Sequence, residues 1–185
     1  HINSHYRLRV ISFIDGTSLE DISDISATMS MNVGAVLARY HLAMQSFDHP
    51  AAHRNHRWNL AEAGQHRAKT ELLADTRKAA LMAWGFDAWE QAKRSLDSMY
   101  WQFIHGDMNP ENILVDGDCI TGLVDFGDAC FNPVVCDLAI CLTYMMMDRE
   151  DPLEAMGIAL GGYLGVRALS DAEQGVLLPL ICGRL

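Results

Sequence analysis

Asp107, Asn112 and Asp125 are the residues of this 185-residue chain whose types and spacing point to chemistry. Two lie in the run His105-Gly106-Asp107-Met108-Asn109-Pro110-Glu111-Asn112; the third opens Asp125-Phe126-Gly127, thirteen residues after Asn112. Phosphoryl transfer needs few protein parts: a carboxylate at the acceptor hydroxyl and oxygen ligands for the metal that holds the nucleotide phosphates. Magnesium prefers hard oxygens and keeps several waters, so one or two carboxylates with an amide suffice. Asp107 and Asn112 bracket a loop, and Asp125 ends a strand that a hairpin lays beside it. Three oxygen-bearing side chains are therefore expected to converge at one mouth.

Charge points the same way. Between Arg94 and Arg149 there is no Lys or Arg, yet nine Asp or Glu fall in the interval. Carboxylates without counter-ions repel one another unless solvated or shared by a cation. A solvated acidic turn accounts for Asp116 and Asp118, but not for Asp125, which follows the apolar pair Leu123-Val124. The whole chain carries 14 Lys plus Arg against 24 Asp plus Glu, a formal charge of −10. That balance argues against a nucleic-acid partner, whose binding is driven by Lys and Arg on phosphates, and suits a metal ion or a cationic small molecule. Five cysteines without close pairing suggest neither a disulfide framework nor a zinc site, so a reducing cytoplasm is expected. No apolar run approaches the ~18 residues of a bilayer span, and no membrane partner is expected.

The elements that must position these residues follow from periodicity. Tyr6–Ile14 reads as a strand broken by the Asp15-Gly16 turn. From Thr28 to Phe47, Val33, Leu37, Tyr40, Met44 and Phe47 mark one face of a helix. A second helix is expected over Leu60–Met82, and a third after Asp87, where Asp87 and Glu90 make a capping-box pattern. Tyr100–Ile104, Ile113–Val115 and Ile120–Val124 read as strands, the last two joined in a hairpin by Asp116-Gly117-Asp118. Asp137–Met147 reads as a buried helix, Asp151-Pro152 starts another, and Ser170 with Glu173 caps a last one that Pro179 interrupts. His41 is expected to be a satisfied core histidine, His53 and His56 solvated, Met145–Met147 core, and Cys130, Cys136 and Cys141 small buried hydrophobes.

The string His105-Gly106-Asp107 with Asn112, then Asp125-Phe126-Gly127-Asp128, resembles the aminoglycoside phosphotransferase and choline kinase family of small-molecule kinases. Gly106 stands where protein kinases carry Arg. Leu123–Asp128, Asp137-Leu138-Ala139-Ile140 and Leu37-Ala38-Arg39-Tyr40-His41 most resemble the hydroxylysine-kinase-like branch, which includes kinase-like domains fused to class III aminotransferases. The resemblance implies an α+β, mainly helical fold: the C-terminal lobe of the protein-kinase-like fold with a small central β-hairpin. It implies Asp107 as catalytic base, Asn112 and Asp125 as magnesium ligands, His105 as a support under the loop, and Asp137 as the anchor of its backbone amides. Ser12, Phe13 and Ile14 fall where the family binds the nucleotide base through backbone groups.

On this reading residues 1–16 are hinge strand and linker, 17–185 the helical lobe. Loop 105–112 is catalytic and segment 125–128 binds metal. The cofactors are Mg2+ and ATP or GTP as phosphate donor, and the acceptor is a small hydroxyl compound, cationic through an amine. No glycine-rich loop precedes Tyr6, and the three lysines, Lys69, Lys78 and Lys93, all lie in stretches read as helical. A chain that begins at His1 is thus expected to be the larger part of a kinase whose N-terminal lobe is missing or lies in a fused domain, and to be inactive alone. A non-catalytic kinase-like binding or regulatory module of a larger fusion protein stays open as the alternative.

Overall fold

Ser26 opens the first long element: its hydroxyl accepts the Met29 N–H at 3.0 Å and caps α1 (Ala27–Ala43). The computed structural model describes residues 10–185. Helix α1 buries Val33, Leu37, Ala38 and His41, close to the expected stripe, but ends at Met44 instead of reaching Phe47. It crosses α4 (Pro152–Leu164, N-capped by Asp151) at very short range. A Cβ at Gly34 would strike the Ala159 carbonyl, and one at Gly162 the Met31 carbonyl, so the crossing requires both glycines.

The helices differ from the expected ones in three further places. Leu60–Met82 is not one helix: Leu60–Leu72 is a kinked 3₁₀ stretch, with Glu62 at φ −120°. Tertiary contacts override its periodicity, because the Trp89 indole donates to the Leu60 carbonyl at 2.8 Å and its ring covers Gly64. No helix starts at Asp87. Helix α2 runs through it from Thr76 to Leu96, N-capped by Asp75, and Asp87 is an exposed partner of Arg67 at 2.5 Å. Pro179 does not interrupt the last helix, α5 (Asp171–Arg184), which buries Val176, Leu177, Leu180 and Ile181 on both sides of it. The Ser170–Glu173 capping box at its start is present.

Two small sheets frame the site. β3 (Ile113–Asp116) and β4 (Cys119–Leu123) form the expected hairpin, turned at Gly117, with β1 (Thr17–Ser18) added antiparallel to β3. The expected Tyr6–Ile14 strand lies outside the described residues up to position 9; residues 10–14 are not strand. β2 (Trp101–Ile104) pairs antiparallel with β5 (Cys130–Pro133), a strand without alternating pattern that the sequence does not announce. Ile104 faces Cys130 in one ladder and Ile113 faces Leu123 in the other. Loop 105–112 and segment 124–129 thus leave and enter the same two sheet ends, and run side by side. Helix α3 (Val134–Met146) fills the core beneath them with Leu138, Ile140 and Leu142, all at most 1% exposed. Among the described residues no helix is long and apolar enough to cross a membrane.

Candidate active site

The loop rests on one fully buried carboxylate. Asp137, in the first turn of α3, accepts the backbone N–H groups of His105 and Gly106, both at 2.9 Å, and His41 Nε2 at 3.1 Å. Burial by itself would raise this carboxyl, but the hydrogen bond and field of His41, the field of His105 and the Gly106 N–H outweigh it and hold the group below its usual range. His41 is indeed a satisfied core residue: its Nδ1 meets the Tyr163 hydroxyl at 2.8 Å. Gly106 has φ +80° and lies against the Asp128 carbonyl, so an Arg at this position would be strained and blocked.

Removing the Asp137 carboxylate leaves the buried His41 Nε2 and two backbone amides without that partner, so Asp137→Ala is expected to cost about 3–5 kcal/mol of stability. Sign fixes its pH dependence. A carboxyl depressed in the folded state contributes stability above its unfolded value of about 4 and loses it as pH falls below that. The stability difference between wild type and Asp137→Asn, followed by urea unfolding, is expected to be constant at neutral pH and to shrink below about pH 4.

His105 ties the loop to the neighbouring segment. Its Nε2–H donates to the Val124 carbonyl at 2.9 Å, its Nδ1 accepts the Asp107 N–H at 3.3 Å, and its ring packs 4.7 Å from that of Phe126. Asp107 and Asn112 meet directly. Asn112 Nδ2 donates to the Asp107 backbone oxygen at 2.9 Å and to its Oδ2 at 3.1 Å, and Asn109 Nδ2 donates to the same Oδ2 at 2.9 Å. The amide nitrogen of Asn112 is thereby committed. Its Oδ1 accepts no hydrogen bond among the described residues, although the residue is buried. An oriented, unspent hard oxygen of this kind fits a magnesium ligand.

Asp125 stands one residue beyond Val124, whose N–H donates to the Asn112 carbonyl at 3.0 Å. It sits at φ 56°, ψ 73°, a left-handed conformation that Asp tolerates, and one carboxylate oxygen accepts the Gly127 N–H at 3.0 Å. Its side chain is exposed and does not line the cleft that holds Asp107. Of the three side chains expected to converge, Asp107 and Asn112 touch, while Asp125 approaches them only through the backbone of Val124 and its side chain lies outside their cleft. Among the described residues no three His, Cys, Asp or Glu side chains gather as a metal cluster. Ser12, Phe13 and Ile14 lie in an exposed segment without regular structure; Phe13 is 88% exposed, and Ile14 packs over Gly122.

A cleft of about 490 Å³ opens beside the loop, and Asp107, Asn109, Asp128, Tyr144, Arg184, Arg57, Leu60 and Lys69 are among its lining residues. Three of the neighbouring groups are not signalled by the sequence. Arg184 Nη2, at the end of α5, donates to Asp107 Oδ1 at 3.1 Å. Arg54 donates to the carbonyls of Gly127 and Ala129. His56, expected to be solvated, is nearly buried, with Nδ1 3.5 Å from Asp128 Oδ1 and neither ring nitrogen hydrogen-bonded. Burial pushes its pKa below the ordinary value against the pull of Asp128. The stretch without Lys or Arg thus meets cations from outside it, Arg184 at the Asp107 carboxylate and Arg54 at two backbone carbonyls. His53 is exposed and pairs with Asp48 at 2.6 Å. Burial raises the buried thiols, Cys130 to about 11 and Cys141 to about 12, which leaves them unreactive.

The comparisons with known proteins bear on the family and the fold. The chain is 27% identical over 193 residues to hydroxylysine kinase of Mus musculus, covering 97% of this chain and 51% of the relative. It is 31% identical over 182 residues to homoserine kinase of Gluconobacter oxydans, covering 94% of this chain and 54% of that one. The chain thus spans about half the length of the curated relatives it matches. Among solved structures, a microcompartment-associated aminopropanol kinase superposes with a TM-score of 0.62 at 20% identity, over 86% of this chain and 52% of that one. The amicoumacin kinase hAmiN, solved with AMP-PNP and Ca2+, gives 0.60 at 19%, over 86% and 49%. A family model described as the phosphotransferase enzyme family matches residues 3–169, nine-tenths of the sequence, and the chain belongs to that family.

Proposed function

We propose that this chain is the acceptor-binding and catalytic part of a magnesium-dependent small-molecule kinase, which moves the γ-phosphate of ATP or GTP to a hydroxyl of a small amine-bearing acceptor. The carrying observation is the arrangement of loop 105–112. Asp107 lines a cleft, held by two side-chain amides through Oδ2 and by Arg184 through Oδ1, on a backbone pinned by Asp137. The names of the relatives, hydroxylysine and homoserine kinases, favour an amino-acid acceptor.

In this reading Asp107 takes the acceptor hydroxyl proton. The acceptor oxygen forms a bond to the γ-phosphorus as the bond to the bridging oxygen breaks, and the nucleoside diphosphate leaves with that electron pair. Asn112 Oδ1 and the Asp125 carboxylate would hold magnesium, which supplies charge neutralisation on the phosphates when bound. Asp137 and His105 orient the loop so that little reorganisation accompanies transfer. The backbone of Ser12–Ile14 receives the base, as part of the hinge strand and linker of residues 1–16 that leads into the lobe 17–185. The other lobe of the nucleotide site lies outside this chain, a reading supported by relatives about twice as long. A cytoplasmic setting suits its free cysteines.

The test is to screen the intact protein with ATP and with GTP against hydroxylated amines, following product by 31P NMR. A phosphomonoester formed only with magnesium present is expected. No phosphomonoester with any acceptor and either nucleotide contradicts the reading.

A further inference from the structure

The buried support of the catalytic loop does not end at His41. Its Nδ1 faces the Tyr163 hydroxyl at 2.8 Å, and that hydroxyl accepts an N–H of Arg167 Nη1 at 3.1 Å. Arg167 Nη2 donates to Glu173 Oε1 at 2.7 Å. The other oxygen, Glu173 Oε2, accepts the Ser170 N–H at 2.9 Å and so closes the capping box of α5. A capping box asks of its glutamate only that last contact; here the same side chain also holds an arginine whose second arm reaches Tyr163. Tyr163 is fully buried, and the Arg167 and Glu173 side chains are 15% and 7% exposed. A continuous chain of hydrogen bonds thus runs from the start of α5 to Asp137, whose Oδ2 accepts both His41 Nε2 and the His105 N–H.

The donors give this chain a direction. A guanidinium only donates, so the Tyr163 oxygen receives from Arg167. Its own proton is left for His41 Nδ1, the acceptor it meets among the described residues. Burial pushes the Tyr163 hydroxyl well above its ordinary pKa, so it keeps that proton to give. With Nδ1 accepting, the ring proton sits on Nε2 and points at Asp137. A proton on Nδ1 would set two donors against one hydroxyl oxygen and leave the tyrosine proton unused.

We propose that Tyr163 and Arg167 are positioning residues of the phosphoryl transfer: they fix the His41 proton on Nε2 and, through His41 and Asp137, hold the loop that carries Asp107. The inference rests on the reading of Asp107 as the base. Neither residue lines the cleft beside Asp107, so their effect falls on kcat and not on the binding of acceptor or nucleotide.

Two arms test this. Tyr163→Phe deletes one oxygen and keeps the ring, the Arg167–Glu173 pair and the capping box. In the intact protein, assayed where wild type and variant are both fully folded, kcat is expected to fall by about tenfold to a hundredfold with both KM values unchanged. An unchanged kcat overturns the proposal even if the melting temperature drops, because the chain is then a structural brace; a rise in KM without a fall in kcat overturns it as well. The second arm needs no turnover. 15N NMR of wild type at neutral pH is expected to show His41 with a bare Nδ1 and a protonated Nε2. In Tyr163→Phe the His105 and Gly106 amide hydrogens are expected to exchange about tenfold faster relative to those of the β3–β4 hairpin. A proton on Nδ1, or unchanged relative exchange, sinks the inference even in an active kinase. If both NMR results hold and wild type transfers phosphate to no acceptor, the chain still holds the loop and the kinase reading alone falls.

Discussion

Asp107→Ala in the intact protein is expected to lower turnover by about 10²–10⁴-fold, the range that a positioned general base contributes. The melting temperature is expected to stay within a few degrees. The reason lies in what the side chain supports. Its carboxylate is a quarter exposed and faces a cleft. The contacts that shape the loop, His105 and Gly106 N–H to Asp137 and Asn112 Nδ2 to the Asp107 backbone oxygen, do not involve it. Steady-state rates and a thermal melt on the same preparation separate the two effects. Near-parental turnover in a folded variant would remove Asp107 from the role of base; a collapse in melting temperature would make it a structural residue.

The second large effect belongs to Asp125. Asp125→Asn keeps the backbone, because Asn accepts the left-handed conformation at φ 56° as readily as Asp, and it keeps an oxygen for the Gly127 N–H. What it loses is charge. The apparent affinity for magnesium is expected to fall by about 10²-fold or more, beyond the 10–100-fold typical of residues that only support a ligand. Apparent nucleotide affinity falls with it, because metal and phosphates bind together. Titrating Mg2+ at fixed nucleotide measures this. A magnesium dependence equal to wild type would mean that the Asp125 carboxylate makes no contact with the ion.

What the sequence discloses about this site is what short-range chemistry encodes. Asp107 and Asn112 meet because five residues of loop, capped by Asn109 and turned at Pro110, bring them together. The β3–β4 hairpin sets Val124 beside Asn112 for the same local reason. Asp137 is legible as an acid inside an apolar run, which a buried helix tolerates only where the charge is matched. Arg184 lies 77 residues from Asp107 and Arg54 75 residues from Ala129, and no local pattern announces either contact. The signal that bears on them is the stretch without Lys or Arg between Arg94 and Arg149, which requires cations from elsewhere without naming them. The start of α2 is hidden in a similar way. Asp87 and Glu90 imitate a cap, while the actual cap, Asp75, gains its helix from the packing of Phe86, Trp89, Ala92 and Leu96.

One divalent ion held by Asn112 and Asp125 beside the Asp107 base is the claim on which the rest turns, and anomalous scattering locates such an ion directly. Crystals of the intact protein grown with Mn2+ and a non-hydrolysable ATP analogue are expected to show a manganese peak about 2.0–2.4 Å from Asn112 Oδ1 and from an Asp125 carboxylate oxygen. A peak coordinated by other residues, or nucleotide bound with both side chains out of reach of its metal, would contradict the account.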